Sequence, residues 1–79
     1  MDAFMIKNML ITSLLEEEPE LFITFNSLTT DIYIDNIMDI TISDGKISCS
    51  DTDYNKEFII DDNDDIYDFV RDIFPQLIA

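Results

Sequence analysis

The chain has one glycine, and it stands in the pair Asp44-Gly45 between two stretches in which apolar and polar residues alternate. A backbone that reverses within two residues needs positive φ, which Gly adopts at low cost, so this pair is the strongest short-range hairpin signal and predicts a type I′ turn. The turn sets a register, with Ser43 opposite Lys46, Ile42 opposite Ile47, Thr41 opposite Ser48 and Ile40 opposite Cys49. That register gathers the apolar members on one face, as a half-buried antiparallel sheet requires.

The alternation extends in both directions. Upstream, Ile32, Ile34, Met38, Ile40 and Ile42 share one face while Tyr33, Asp35, Ile37, Asp39 and Thr41 share the other. This predicts a single strand over 31–43 with carboxylates on its outer face and a bulge at Asn36, the one polar interruption of the apolar set. Leu21, Ile23 and Phe25 alternate over a strand at 21–26, and Asn26 to Thr30 supply a turn. Downstream a strand runs over 46–50. Asp51 and Asp53 would point inward if it continued, so a turn over 51–55 precedes a last strand at 56–60, where Phe58 and Ile60 resume the buried face.

Helical patterns flank the sheet. Over 2–18, Ala3, Phe4, Leu10, Ile11, Leu14 and Leu15 share an arc, with Lys7 among them reaching outward along its aliphatic stem, and Pro19 ends the helix. Met1, Met5 and Met9 form a second row at spacing four, suited either to plugging the rim of a small core or to self-association. Over 63–74, Ile66, Phe69, Val70, Ile73 and Phe74 make one apolar stripe, behind Asp62 or Asn63 as N-cap. Pro75 stops this helix, leaving residues 76–79 as an apolar tail. The fold is therefore α+β in one domain: an N-terminal helix, a three- to four-stranded antiparallel meander and a C-terminal helix, both helices on one face of the sheet.

The second helix is also acidic. Asp61, Asp64, Asp65, Asp68 and Asp72 line its outer face about 5–6 Å apart. Asp64 and Asp65 suit the first turn, where the helix dipole favours negative charge. Asp68 and Asp72 do not follow local preference, because Asp is a poor interior helix residue and like charges four apart repel. Glu16, Glu17 and Glu18, at the end of the first helix, likewise oppose the dipole. Across 79 residues, 18 acids face four bases, a formal charge of −14. Such a charge repels nucleic acid and anionic membrane and draws in basic surfaces. The expected partner is a positively charged protein.

Several chemistries lack their residues. With no His and one Cys there is neither a Cys/His zinc set, nor a Ser/His/Asp triad, nor an internal disulfide, and a single Gly makes no phosphate loop. Cys49 reads as a small buried hydrophobe, and a reducing cytosol is the expected setting. Asp61, Asn63, Asp65 and Asp72 match positions 1, 3, 5 and 12 of a calcium loop, but position 6 is Ile66 where Gly is needed and position 12 is not Glu. No enzyme activity, cofactor, metal or membrane span is expected.

In charge, size and element order the chain resembles small phage-borne inhibitors that imitate nucleic acid: acidic anti-CRISPR proteins, anti-restriction proteins and uracil-DNA glycosylase inhibitors. The resemblance implies a protein inhibitor that occupies the basic nucleic-acid channel of a DNA- or RNA-processing enzyme. On the residues here, Asp31, Asp35 and Asp39 recur about 13 Å apart along a strand. With Asp51, Asp53, Glu57, Asp61, Asp62, Asp64, Asp65, Asp68 and Asp72 they form the candidate contact surface, and Tyr33, Tyr54 and Tyr67 offer flat contacts of the kind bases make or pack at the rim. The alternatives are an immunity protein or antitoxin that neutralises a basic nuclease, and an adaptor subunit that dimerises through Met1, Met5 and Met9.

Overall fold

The computed structural model describes residues 1–51 and 54–78, without the side chains of Tyr54 and Ile78. The elements are α1 (Ala3–Glu17), β1 (Ile23–Phe25), β2 (Ile32–Ile34), β3 (Met38–Ser43), β4 (Lys46–Asp51), β5 (Tyr54–Ile59) and α2 (Asn63–Ile78). The fold is α+β: five antiparallel strands in the order β1-β2-β3-β4-β5, with a helix at each end of the chain.

The hairpin register is the one the alternation dictates, with Ser43 against Lys46, Ile42 against Ile47, Thr41 against Ser48 and Ile40 against Cys49. Its turn is not type I′, however. Gly45 has φ 70°, but Asp44 is not in the left-handed region, and the type requires both. The turn is shaped by what it holds. Asp44 Oδ1 accepts from the Ala3 N–H at 2.9 Å, the Gly45 N–H donates to the Met1 carbonyl at 2.8 Å, and the Gly45 carbonyl accepts from the Ile60 N–H at 2.8 Å. One turn thus ties the entry of α1, the central hairpin and the exit of β5.

The expected strand over 31–43 is two strands. Residues 35–37 form a tight turn, with Asn36 at φ 62°, and β2 folds back on β3 with Ile34 opposite Met38 and Ile32 opposite Ile40. The bulge expected at Asn36 is this turn, and Asn tolerates left-handed backbone better than most residues. A three-residue connection keeps even positions opposite even positions, so the buried parity runs unbroken through the reversal. The other strand bounds shift by at most two residues, so that Asn55, expected in a turn, pairs with Ser50 in β5, and β1 shrinks to three residues, Ile23 half-buried and Phe25 exposed.

The helices cover the face formed by Ile32, Ile34, Met38, Ile40, Ile42, Ile47 and Cys49, all buried. α2 buries Ile66, Phe69, Val70 and Ile73 as patterned, and Phe69 meets Phe58 of β5 edge-to-face at 4.7 Å between centroids. It also continues to Ile78 with Pro75 inside. Pro75 lacks the N–H that would reach the Arg71 carbonyl, but it is exposed, and packing of the buried Leu77 two residues on offsets the lost bond. Because this segment is helical from Asn63, it forms no calcium loop.

α1 is rotated relative to the expected arc. Ala3, Ile6, Lys7, Leu10, Ser13 and Leu14 are buried, whereas Phe4 and Leu15 are exposed. Lys7 does not reach outward. Its Nζ donates to the carbonyls of Asn26 at 2.6 Å and Thr29 at 2.7 Å and lies near the rings of Phe4 and Phe25. Asp2 is the N-cap, accepting from the N–H groups of Phe4 and Met5.

Candidate functional site

The acids fall into two sets, one on the helix layer and one on the open face of the sheet. On the helix layer, Asp62 and Asp65 cap α2 reciprocally. Asp62 Oδ1 accepts from the Asp65 N–H at 3.2 Å, while Asp65 Oδ2 accepts from the N–H groups of Asp61 at 2.8 Å and Asp62 at 3.3 Å. These two carboxylates therefore have local structural employment. Asp68 pairs with Arg71 at 3.3 Å and Asp72 with Lys56 of β5 at 2.9 Å. Asp61 and Asp64 are exposed, and among the described residues nothing donates to their side chains.

Glu16 and Glu17, which are not among the expected contact residues, come close to α2. Glu16 shares a shallow groove between the helices with Tyr67, and Glu17 shares a second with Tyr67 and Arg71. A helix pair joined by the core places the end of α1 beside the middle of α2, which the linear spacing of 50 residues conceals. The outer helix surface accordingly carries Glu16 and Glu17 beside Tyr67, and Asp61, Asp64 and Asp68 exposed along α2 and its entry.

The open face of the sheet is different in texture. Thr24, Tyr33, Asp39, Ser50 and Asn55 lie side by side across all five strands, and Thr41, Ser48 and Glu57 form the next row. Asp39 and Glu57 are exposed, and Glu57 lies 3.5 Å from Lys46. The expected strand-long series of Asp31, Asp35 and Asp39 is broken by the β2–β3 turn. Asp31 is exposed just before β2, Asp35 enters the turn and accepts from the Thr24 hydroxyl at 2.9 Å, and Asp39 sits opposite Tyr33. Asp51 ends β4 and is exposed, whereas Asp53 lies outside the described residues.

β5 joins the two sets. It is an edge strand, with Glu57 on the open side and Lys56 on the helix side reaching Asp72. Phe58 meets Phe69 and Lys56 meets Asp72, so α2 runs back along β5 and holds its carboxylate row beside that edge. Of the tyrosines, Tyr33 accepts from the Asn36 N–H at 3.0 Å and stays partly exposed, as does Tyr67; the side chain of Tyr54 lies outside the described residues.

All four cations are engaged within the chain: Lys7 on two carbonyls, Lys46 on Glu57, Lys56 on Asp72 and Arg71 on Asp68. Four bases against 18 acids leave most of the negative charge without a counter-charge. Cys49 is buried, and burial pushes its thiol up from the ordinary range while the neighbouring Lys56 pulls the other way. A protonated, enclosed thiol is not a nucleophile. Among the described residues no three acidic or sulfur groups converge to hold a metal, and no helix is long and apolar enough to cross a membrane.

The chain matches no family model, no curated protein and no solved structure. Function must then be argued from the surface alone. Of the methionine row, Met1 and Met9 pack against the core and only Met5 is exposed.

Proposed function

We propose that this protein is an inhibitor that binds the basic nucleic-acid-binding surface of a DNA- or RNA-processing enzyme by presenting carboxylates where phosphates would lie, in the manner of a phage-encoded anti-defence protein acting in the host cytoplasm. The observation that carries this is the internal use of every cation: with four bases against 18 acids, all four engaged within the chain, the exposed α2 surface keeps a net negative charge. Duplex DNA offers a negative charge about every 1.7 Å of axis, and enzymes that read it align Lys and Arg with that array. Asp61, Asp64 and Asp68 on a rigid helix, with Glu57 on the adjoining strand, meet such residues without having to be ordered first, which lowers the entropic cost of binding.

The partner is steered in by the field of the whole domain and released by salt. Immobilised protein is incubated with a bacterial lysate at low salt, with and without excess duplex DNA. The expected outcome is retention of a nucleic-acid enzyme that DNA displaces and moderate salt elutes. Retention of a partner that DNA does not displace contradicts mimicry and favours an immunity-type contact.

A further inference from the structure

Asp44-Gly45 is the one place in the chain where a carboxylate side chain precedes a residue without a Cβ. Such a bond is labile in water, because nothing on the glycine hinders its nitrogen from attacking the side-chain carboxyl of the residue before it. The nitrogen's electron pair forms a bond to Asp44 Cγ, and the carboxyl hydroxyl leaves with the amide proton as one water, closing a five-membered imide. Water then reopens the ring at either carbonyl. Opening at Cγ restores aspartate. Opening at the former main-chain carbonyl leaves isoaspartate, whose backbone runs through Cβ and Cγ. One water is lost and one regained, so the mass is unchanged and no oxidant is needed.

Both reacting groups are held in the fold. The Gly45 N–H donates to the Met1 carbonyl at 2.8 Å, and Asp44 Oδ1 accepts from the Ala3 N–H at 2.9 Å. Beyond the turn, the Gly45 carbonyl accepts from the Ile60 N–H at 2.8 Å, and Ser43 pairs with Lys46. Ring closure requires the Asp44 side chain to swing onto the Gly45 nitrogen and that nitrogen to give up its proton, and these bonds oppose both movements. We infer that Asp44-Gly45 is a site of spontaneous isomerisation that the fold keeps shut, and that the latch is the first turn of α1. Asp44 is exposed, so solvent does not limit the reaction and the bonds alone protect it. Helix ends open more readily than a core, so the latch is released locally before the chain unfolds. The change does not reverse on closing. Isoaspartate adds an atom to the main chain in a turn whose length sets the strand register, and the carboxyl that met Ala3 has become part of the backbone. The inference rests on the turn alone and is independent of the proposed inhibitor role.

The full chain is aged at neutral pH in buffer and in urea strong enough to unfold it, and isoaspartate at residue 44 is measured after digestion as a peptide of unchanged mass and altered chromatographic retention. It should form at least about tenfold more slowly in buffer than in urea. Ala3→Pro removes the N–H that holds Asp44. Ala3 is the first helical residue, where proline is accepted, and Asp2, at ψ 141°, already has the extended backbone of a residue before proline. This variant, with the circular dichroism of the parent, should isomerise at least about threefold faster than the parent in buffer and equally fast in urea. The isoaspartyl chain, purified from urea, should fail to regain the parent's melting temperature. Equal rates for the parent in buffer and in urea would overturn the inference even if Ala3→Pro does not fold. So would the absence of isoaspartate from the unfolded chain, a folded Ala3→Pro chain no faster than the parent, or an isoaspartyl chain that melts as the parent does.

Discussion

Lys7 is a cation enclosed by an apolar layer with carbonyl oxygens as its nearest polar groups. The sequence places it within the apolar arc of α1, but a lysine in such a stripe equally well extends outward, and the carbonyls that receive it lie 19 and 22 residues away. Nothing local marks the 26–29 turn as their source. Replacing Lys7 by Ala removes two charge-assisted bonds and the packing of the stem, and should cost about 3 kcal/mol in urea unfolding. Lys7→Met keeps most of the packing and should cost about half as much. Cys49 was legible in the sequence, because the hairpin register sets it opposite Ile40 on the core face. Its raised pKa means that the folded state holds the thiol proton more tightly than the unfolded chain does. The stability this contributes is complete below the ordinary thiol range and is lost as pH rises through it. Alkylation near neutral pH should be slow and should accelerate only as urea unfolds the chain; fast labelling of the folded state would show that the thiol is not enclosed.

Among the elements, the central hairpin could be read because one turn and one alternation specify it redundantly. The β2–β3 reversal could not, since a three-residue connection conserves parity and a single strand has the same pattern; Asn36 was the only local clue. α2 could be read in its apolar stripe but not in its length, because the stop expected at Pro75 depends on whether Leu77 finds a place in the core. Gly45→Ala tests the turn. An added Cβ would meet the Ile60 carbonyl only at an ordinary 3.7 Å, so strain at φ 70° should dominate, at a cost of about 1 kcal/mol in unfolding free energy. The cap and the ladder of α2 separate in the same way. Asp62→Ala should lower stability by about 1 kcal/mol through loss of the N-cap. Asp64→Asn should move it by less than about 0.5 kcal/mol, because nothing among the described residues donates to that side chain. The candidate acids were thus all visible in the sequence. What the sequence hid was the division of labour among them, capping for Asp62 and Asp65 and pairing for Asp68 and Asp72, and the approach of Glu16 and Glu17.

At the scale of the whole molecule exposed carboxylates lie over α2, the end of α1 and the open sheet face, while the Phe4 and Phe25 rings gather around Lys7. Self-repulsion among 18 acids opposes folding, so added salt should raise the melting temperature, by about 5 °C if screening contributes about 1 kcal/mol to a domain of this size. The most direct test of the anionic surface uses the enzyme recovered by lysate capture, in a competition assay for its labelled nucleic acid. The unmodified chain should displace the nucleic acid completely, and the combined variant Asp61→Asn, Asp64→Asn, Asp68→Asn, folded and equally stable, should need at least ten times the concentration. Equal displacement by the parent and the triple variant would contradict the assignment of that surface to the role of a polyanion.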